Sequence, residues 1–116
     1  MRRQMRIEAA QQVADRLFAA EVAIDAALTA AAELNAVIPV ARTRANISAV
    51  VGQCAVESAA GTLSALVNAR RYIVDTHNRL KETQDQIGLR TVSFGGGTDK
   101  PPPADAQLRV VEKEAA

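Results

Sequence analysis

The chain has 116 residues, a formal net charge of +1 and only 3% aromatic residues. This length fits one domain, and so small a net charge argues against a protein whose main activity is to bind nucleic acid. The one cysteine, Cys54, excludes an internal disulfide framework, and we expect a buried, unreactive thiol in a cytoplasmic protein.

Apolar residues in the first part of the chain recur at alternating steps of three and four, which places them on one face of a helix. This first seam consists of Val13, Leu17, Ala20, Ile24, Ala27, Ala31, Leu34 and Ile38. We predict an amphipathic helix over residues 4–35. Asn35, in the left-handed conformation, is expected to end it, followed by a turn over residues 36–38.

The same spacing returns in the second half of the chain. The second seam consists of Val56, Ala59, Leu63, Leu66, Arg70, Ile73, His77, Leu80, Gln84 and Ile87. We predict a helix that begins at Pro39, which lies in its first turn, runs to about Ile87 and stops at Gly88. A break at Gly61 is the alternative, and it would give a three-helix bundle instead of a long antiparallel hairpin.

The predicted helix lengths bear on association. At 1.5 Å per residue, the second helix exceeds the first by about 25 Å, which leaves residues 71–87 without a partner in their own hairpin. We therefore predict a homo-oligomer, in which two hairpins form a four-helix bundle. Its predicted interface residues are Leu17, Ile24, Leu34, Leu63, Leu66, Arg70, Ile73, His77, Leu80 and Ile87.

The chain changes character after Gly88. Runs of three glycines at 95–97 and three prolines at 101–103 do not fit inside a helix. We therefore divide the chain into a helical hairpin domain, residues 1–88, and a flexible tail, residues 89–116. The tail holds two short apolar segments that we expect to dock on a protein partner. Their predicted docking residues are Val92, Phe94, Leu108 and Val110.

Residue patterns that would indicate an enzyme are missing from the sequence. His77 has no nucleophile motif to serve and no glutamate three residues away, as a metal-binding helical bundle would require. The glycine run at 95–97 is not followed by the lysine of a phosphate-binding loop. We accordingly predict no catalytic, metal-binding or cofactor-binding residues.

These patterns favour a non-enzymatic module for helical oligomerisation and protein interaction, such as a structural or adaptor subunit of a virus, phage or other assembly. One alternative is a helical regulator that binds nucleic acid through its arginines. The other is an amphipathic coat protein of a granule or membrane surface. We expect no transmembrane segment, because the most apolar stretch, residues 45–67, is rich in small and polar residues.

Overall fold

A computed structural model of the chain describes residues 1–94. Within that range it has two long helices, α1 at Arg2–Arg44 and α2 at Gln53–Gln86, and no strand. The prediction of an all-α chain built on a helical hairpin is confirmed. The chain forms two compact units. We call Ala20–Leu80 the turn unit, and Met1–Ala19 together with residues 81–94 the terminal unit.

The predicted turn at residues 36–38 is wrong, because α1 continues through Pro39 to Arg44. Asn35 does not end the helix. Its side-chain amide donates to the carbonyl oxygens of Ala31 (2.8 Å) and Ala59 (3.0 Å). Pro39 removes only one hydrogen bond from the helix ladder, and Ile38 and Arg42 on either side of it are half-buried in the seam.

The turn between the helices lies instead at residues 45–52. Asn46 adopts the left-handed conformation, with a φ of 56°, and its N–H donates to the carbonyl of Thr43 at 3.1 Å. The N–H of Ile47 donates to the carbonyl of Arg42 at 3.1 Å. These two bonds form a Schellman motif, which satisfies the last carbonyls of α1.

The prediction that Gly88 stops the second helix is confirmed. Gly88 has a φ of 81°, and the N–H groups of Gly88 and Leu89 donate to Asp85 (3.1 Å) and Gln84 (2.9 Å) in a second Schellman motif. The alternative of a three-helix bundle is wrong, because α2 passes through Gly61 without interruption. One glycine in a helix costs only about 1 kcal/mol, which the packing of its neighbours offsets.

The predicted overhang of residues 71–87 is not found. The first helix has 43 residues and the second has 34, so the order of lengths is the reverse of the prediction. The error follows from the misplaced turn, since residues 39–44 belong to α1 and residues 45–52 belong to neither helix. The argument for a second subunit from an uncovered end of α2 therefore fails.

In the turn unit the two helices contact each other along a narrow seam. Only Ala31 and Ala59 are buried, each at 8% exposure. They are flanked by half-buried residues that recur at steps of three, four or seven: Glu21, Ile24, Leu28, Asn35, Ile38 and Arg42 on α1, and Leu63, Leu66, Ile73, His77 and Leu80 on α2. This spacing is that of a two-stranded coiled coil with small residues at its most closely packed layer.

The terminal unit is closed by the chain that follows α2. Leu89 is completely buried and Phe94 is buried at 8% exposure. The side-chain amide of Gln84 donates to the carbonyls of Leu89 (2.6 Å) and Val92 (2.7 Å), and that of Gln11 donates to the carbonyl of Phe94 (2.9 Å). Two glutamines therefore fix the backbone of residues 89–94.

Candidate interaction surface

The structure places most predicted interface residues within the seam of their own chain. Half-buried in the turn unit are Ile24, Leu63, Leu66, Ile73, His77 and Leu80, and half-buried in the terminal unit are Leu17 and Ile87. Leu34 and Arg70 are exposed. The role of all these predicted interface residues in contacts between subunits stays a prediction.

Four positions assigned to the two seams are exposed: Val13, Leu34, Val56 and Arg70. A single partner helix covers about two positions in seven, so apolar residues beside the seam keep the same approximate spacing while facing solvent. Sequence spacing alone does not separate the contact positions from their neighbours.

Asn35 and Ala59 fix the register of the two helices in the turn unit. The helices run antiparallel, with Asn35 opposite Ala59. Each helix has a contact position that recurs every seven residues, and the residue immediately before that position lies on the same side of the pair in both helices. We call this side the uncharged edge. Its members recur every seven residues: Ala20, Ala27, Leu34 and Ala41 on α1, and Ala55, Thr62, Ala69 and Thr76 on α2.

The two threonine hydroxyl groups of the uncharged edge donate their hydrogen bonds within α2. The hydroxyl of Thr62 donates to the carbonyl of Ser58 at 3.2 Å, and that of Thr76 donates to the carbonyl of Tyr72 at 2.9 Å. Both threonines therefore satisfy their hydroxyl hydrogens within α2. Covering this edge with an apolar surface leaves no unpaired hydroxyl donor, so it avoids the usual cost of burying a polar group.

The charged groups of the turn unit that meet across the helices lie away from this edge. Arg70 forms an ion pair with Asp25, and both side chains are more than half exposed, which limits the contribution of the pair to stability. His77 Nδ1 lies 3.8 Å from Glu21 Oε2, with both side chains largely buried in the seam. Of these groups, Asp25 lies on the edge opposite the uncharged edge.

Cys54 is exposed, which corrects the expectation of a buried thiol. It lies in the first turn of α2. Among residues 1–94, no group of three or more His, Cys, Asp or Glu side chains is placed to hold a metal ion. In the same range neither helix has a stretch long and apolar enough to cross a membrane.

The two predicted docking segments of the tail have different positions. Phe94 is buried and Val92 is half-buried in the terminal unit of their own chain. Leu108 and Val110 lie outside the described residues.

Sequence reasoning missed the polar residues that organise the fold. Asn35 lies seven residues after Leu28 and seven before Arg42, on the contact face of α1. An amide at a contact position is a recognised device for fixing the register of paired helices, and the seven-residue spacing of Asn35 from its neighbours was the signal available in the sequence.

Comparisons of the chain with protein-family models, curated protein sequences and solved structures gave no match.

Proposed function

We propose that the chain is a non-enzymatic structural or adaptor module that forms a homodimer through the uncharged edge, giving a four-helix bundle. Each chain would contribute its α1 and α2 hairpin, related to the second copy by a twofold axis. The dimer would serve as a building unit of a larger cytoplasmic assembly.

The observation that carries this proposal is the small core of the turn unit. Its buried residues are two alanines, whose side chains contribute little apolar area. Helices of this kind depend on tertiary packing more than on intrinsic propensity for their stability. Meanwhile Leu34, a large aliphatic side chain of the uncharged edge, remains 50% exposed. Association would supply the missing burial.

The uncharged edge suits a second copy of the same chain. A twofold interface brings a surface against itself, so a charge close to the axis would meet its own copy. No residue of the uncharged edge is charged, and its alanines permit close approach of helices. By contrast, the edge that holds Asp25 would bring two carboxylates into an interface.

The size of the edge is sufficient. Along α1 it extends from Ala20 to Ala41, which corresponds to about 32 Å of helix. Two neighbouring helices present a width of about 20 Å, so the interface would bury about 1,300 Å² over both copies. Specific protein interfaces bury about 1,200 to 2,000 Å².

The test is the mass of the full chain in solution by sedimentation equilibrium. We expect twice the chain mass of 12.3 kDa. Ala27→Glu places a charge on the edge and should shift the protein toward the monomer. Ala26→Glu, at the neighbouring exposed position on the same helix, is the matched control and should leave the dimer intact. Circular dichroism of both variants verifies that the helices persist.

Two results would overturn the proposal. One is a wild-type protein that is monomeric at about 100 μM, a concentration well above that at which a stable dimer dissociates. The other is equal dimerisation of the two variants, which would place the interface elsewhere.

We further propose that the tail beyond Phe94 docks on a protein partner through Leu108 and Val110. Truncation directly after Phe94 keeps the buried Leu89 and Phe94 and so preserves the terminal unit. Loss of a co-purifying protein from the truncated chain, and its retention by the full chain, would support this role. Equal recovery with both chains would contradict it.

A further inference from the structure

The end of the turn unit around residues 45–52 has a surface distinct from the uncharged edge. Six exposed aliphatic residues surround it: Val37, Val40, Ile47, Val50, Val51 and Val56. We call them the tip surface. Val50 is 81% exposed and Val51 is 58% exposed, and both lie in the turn itself. No acidic residue occurs between Glu33 and Glu57, whereas Arg42 and Arg44 lie within this range.

The backbone of the turn already satisfies many of its own polar groups. The N–H groups of Asn46 and Ile47 donate to α1, and that of Val51 donates to the carbonyl of Ser48 at 3.0 Å. The carbonyl of Ile47 accepts a hydrogen bond from Arg42 Nη1 at 2.9 Å. A turn bonded in this way loses fewer hydrogen bonds to water when it enters a less polar medium.

We propose that the tip surface binds the interface of an anionic lipid bilayer, with Val50 and Val51 entering the headgroup region. Aliphatic side chains beside arginines, with no acidic residue nearby in the sequence, match a bilayer interface, where hydrocarbon lies beneath negatively charged headgroups. Arg44 is exposed and is placed to contact lipid phosphates.

A second copy of the tip is a poorer occupant than the bilayer. Two tips in contact would bring the arginines of one copy close to those of the other, and such like charges repel. A turn projects outward, and a deformable lipid surface accommodates a projecting element without a preformed groove. This proposal does not depend on the homodimer, because the tip surface and the uncharged edge share no residue.

The first test is sedimentation of the full chain with vesicles. We expect binding to vesicles of phosphatidylcholine and phosphatidylglycerol in a ratio of about 3:1. Binding to phosphatidylcholine alone should be at least about fivefold weaker, and about 0.5 M salt should reduce binding to the anionic vesicles. Val50→Glu should lower binding about tenfold, whereas Val22→Glu, at an exposed valine of α1, should not. Arg44→Gln should weaken binding more than Arg16→Gln does.

The second test uses the absence of tryptophan from the chain. Val50→Trp introduces a single tryptophan, whose emission should shift to shorter wavelength when anionic vesicles are added. Val22→Trp should show no shift. The proposal is overturned if wild-type protein binds neither vesicle, or if the variants at positions 50 and 22 behave alike. A change in oligomeric state on Val50→Glu, without any vesicle binding by wild type, would instead assign the tip to protein contact.

Discussion

The side-chain amide of Asn35 in α1 donates a hydrogen bond to the backbone carbonyl of Ala59 in α2 at 3.0 Å, beside the closely packed layer of Ala31 and Ala59. The same amide nitrogen also donates to the carbonyl of Ala31, so one side chain links the two helices. An apolar seam that repeats every seven residues fits several alignments about equally well. Asn35 distinguishes the observed alignment from the others.

Replacement of Asn35 by aspartate should destabilise the hairpin. A carboxylate has no hydrogen to donate when ionised, and it would face the carbonyl oxygens of Ala31 and Ala59. We expect a loss of about 1 to 3 kcal/mol in the free energy of unfolding, measured by urea denaturation. Asn78→Asp, at an exposed position of α2, is the control and should change stability by less than about 0.5 kcal/mol. Equal effects at the two positions would contradict a role for Asn35 in the register.

Two glycine substitutions should change stability in opposite directions. Gly88→Ala forces a side chain into a backbone conformation with a φ of 81°, and should cost about 1 to 2 kcal/mol. Gly61 lies inside α2, where an added Cβ meets no atom within 4 Å, so Gly61→Ala should raise the free energy of unfolding by about 0.5 to 1 kcal/mol. Thermal unfolding of the two variants measures both effects. Destabilisation by Gly61→Ala would show that the position faces a partner that the single chain lacks.

Pro39→Ala should stabilise the protein. Proline at this position of α1 provides no N–H for the carbonyl of Asn35, and alanine restores that bond. We expect a gain of about 1 to 3 kcal/mol, measured as a higher urea midpoint. An unchanged or lower midpoint would mean that the backbone geometry at Pro39 is required for packing beside it.

Gln84→Glu should loosen residues 89–94 while leaving the turn unit unaffected. The amide of Gln84 donates to the carbonyls of Leu89 and Val92, and a carboxylate would repel both. Hydrogen exchange should become faster at the amides of residues 89–94. Gln86→Glu, exposed at the end of α2, is the matched control. Unchanged exchange in Gln84→Glu would show that burial of Leu89 holds the segment without the glutamine.

Helical class, the main contact residues and the stop at Gly88 were predictable from the sequence, because apolar spacing and a glycine at a helix end reflect local geometry. The turn was not predictable from Asn35 and Pro39, since each is a common helix terminator that tertiary contacts override here. Leu34 was assigned to the seam although it faces solvent, because the width of the contact face depends on how many helices surround it. The uncharged edge emerges only once the register of α1 against α2 is known.

The left-handed backbone at Asn46, with a φ of 56°, and at Gly52, with a φ of 80°, also restricts how two chains can combine. Exchange of arms between protomers would require residues 45–52 to straighten, and so to abandon both of these conformations and the capping bonds of Ile47 and Asn46. Each chain therefore has a built-in preference to close on itself before it meets another. Assemblies of this protein should grow by the docking of finished hairpins, without strand or helix swapping.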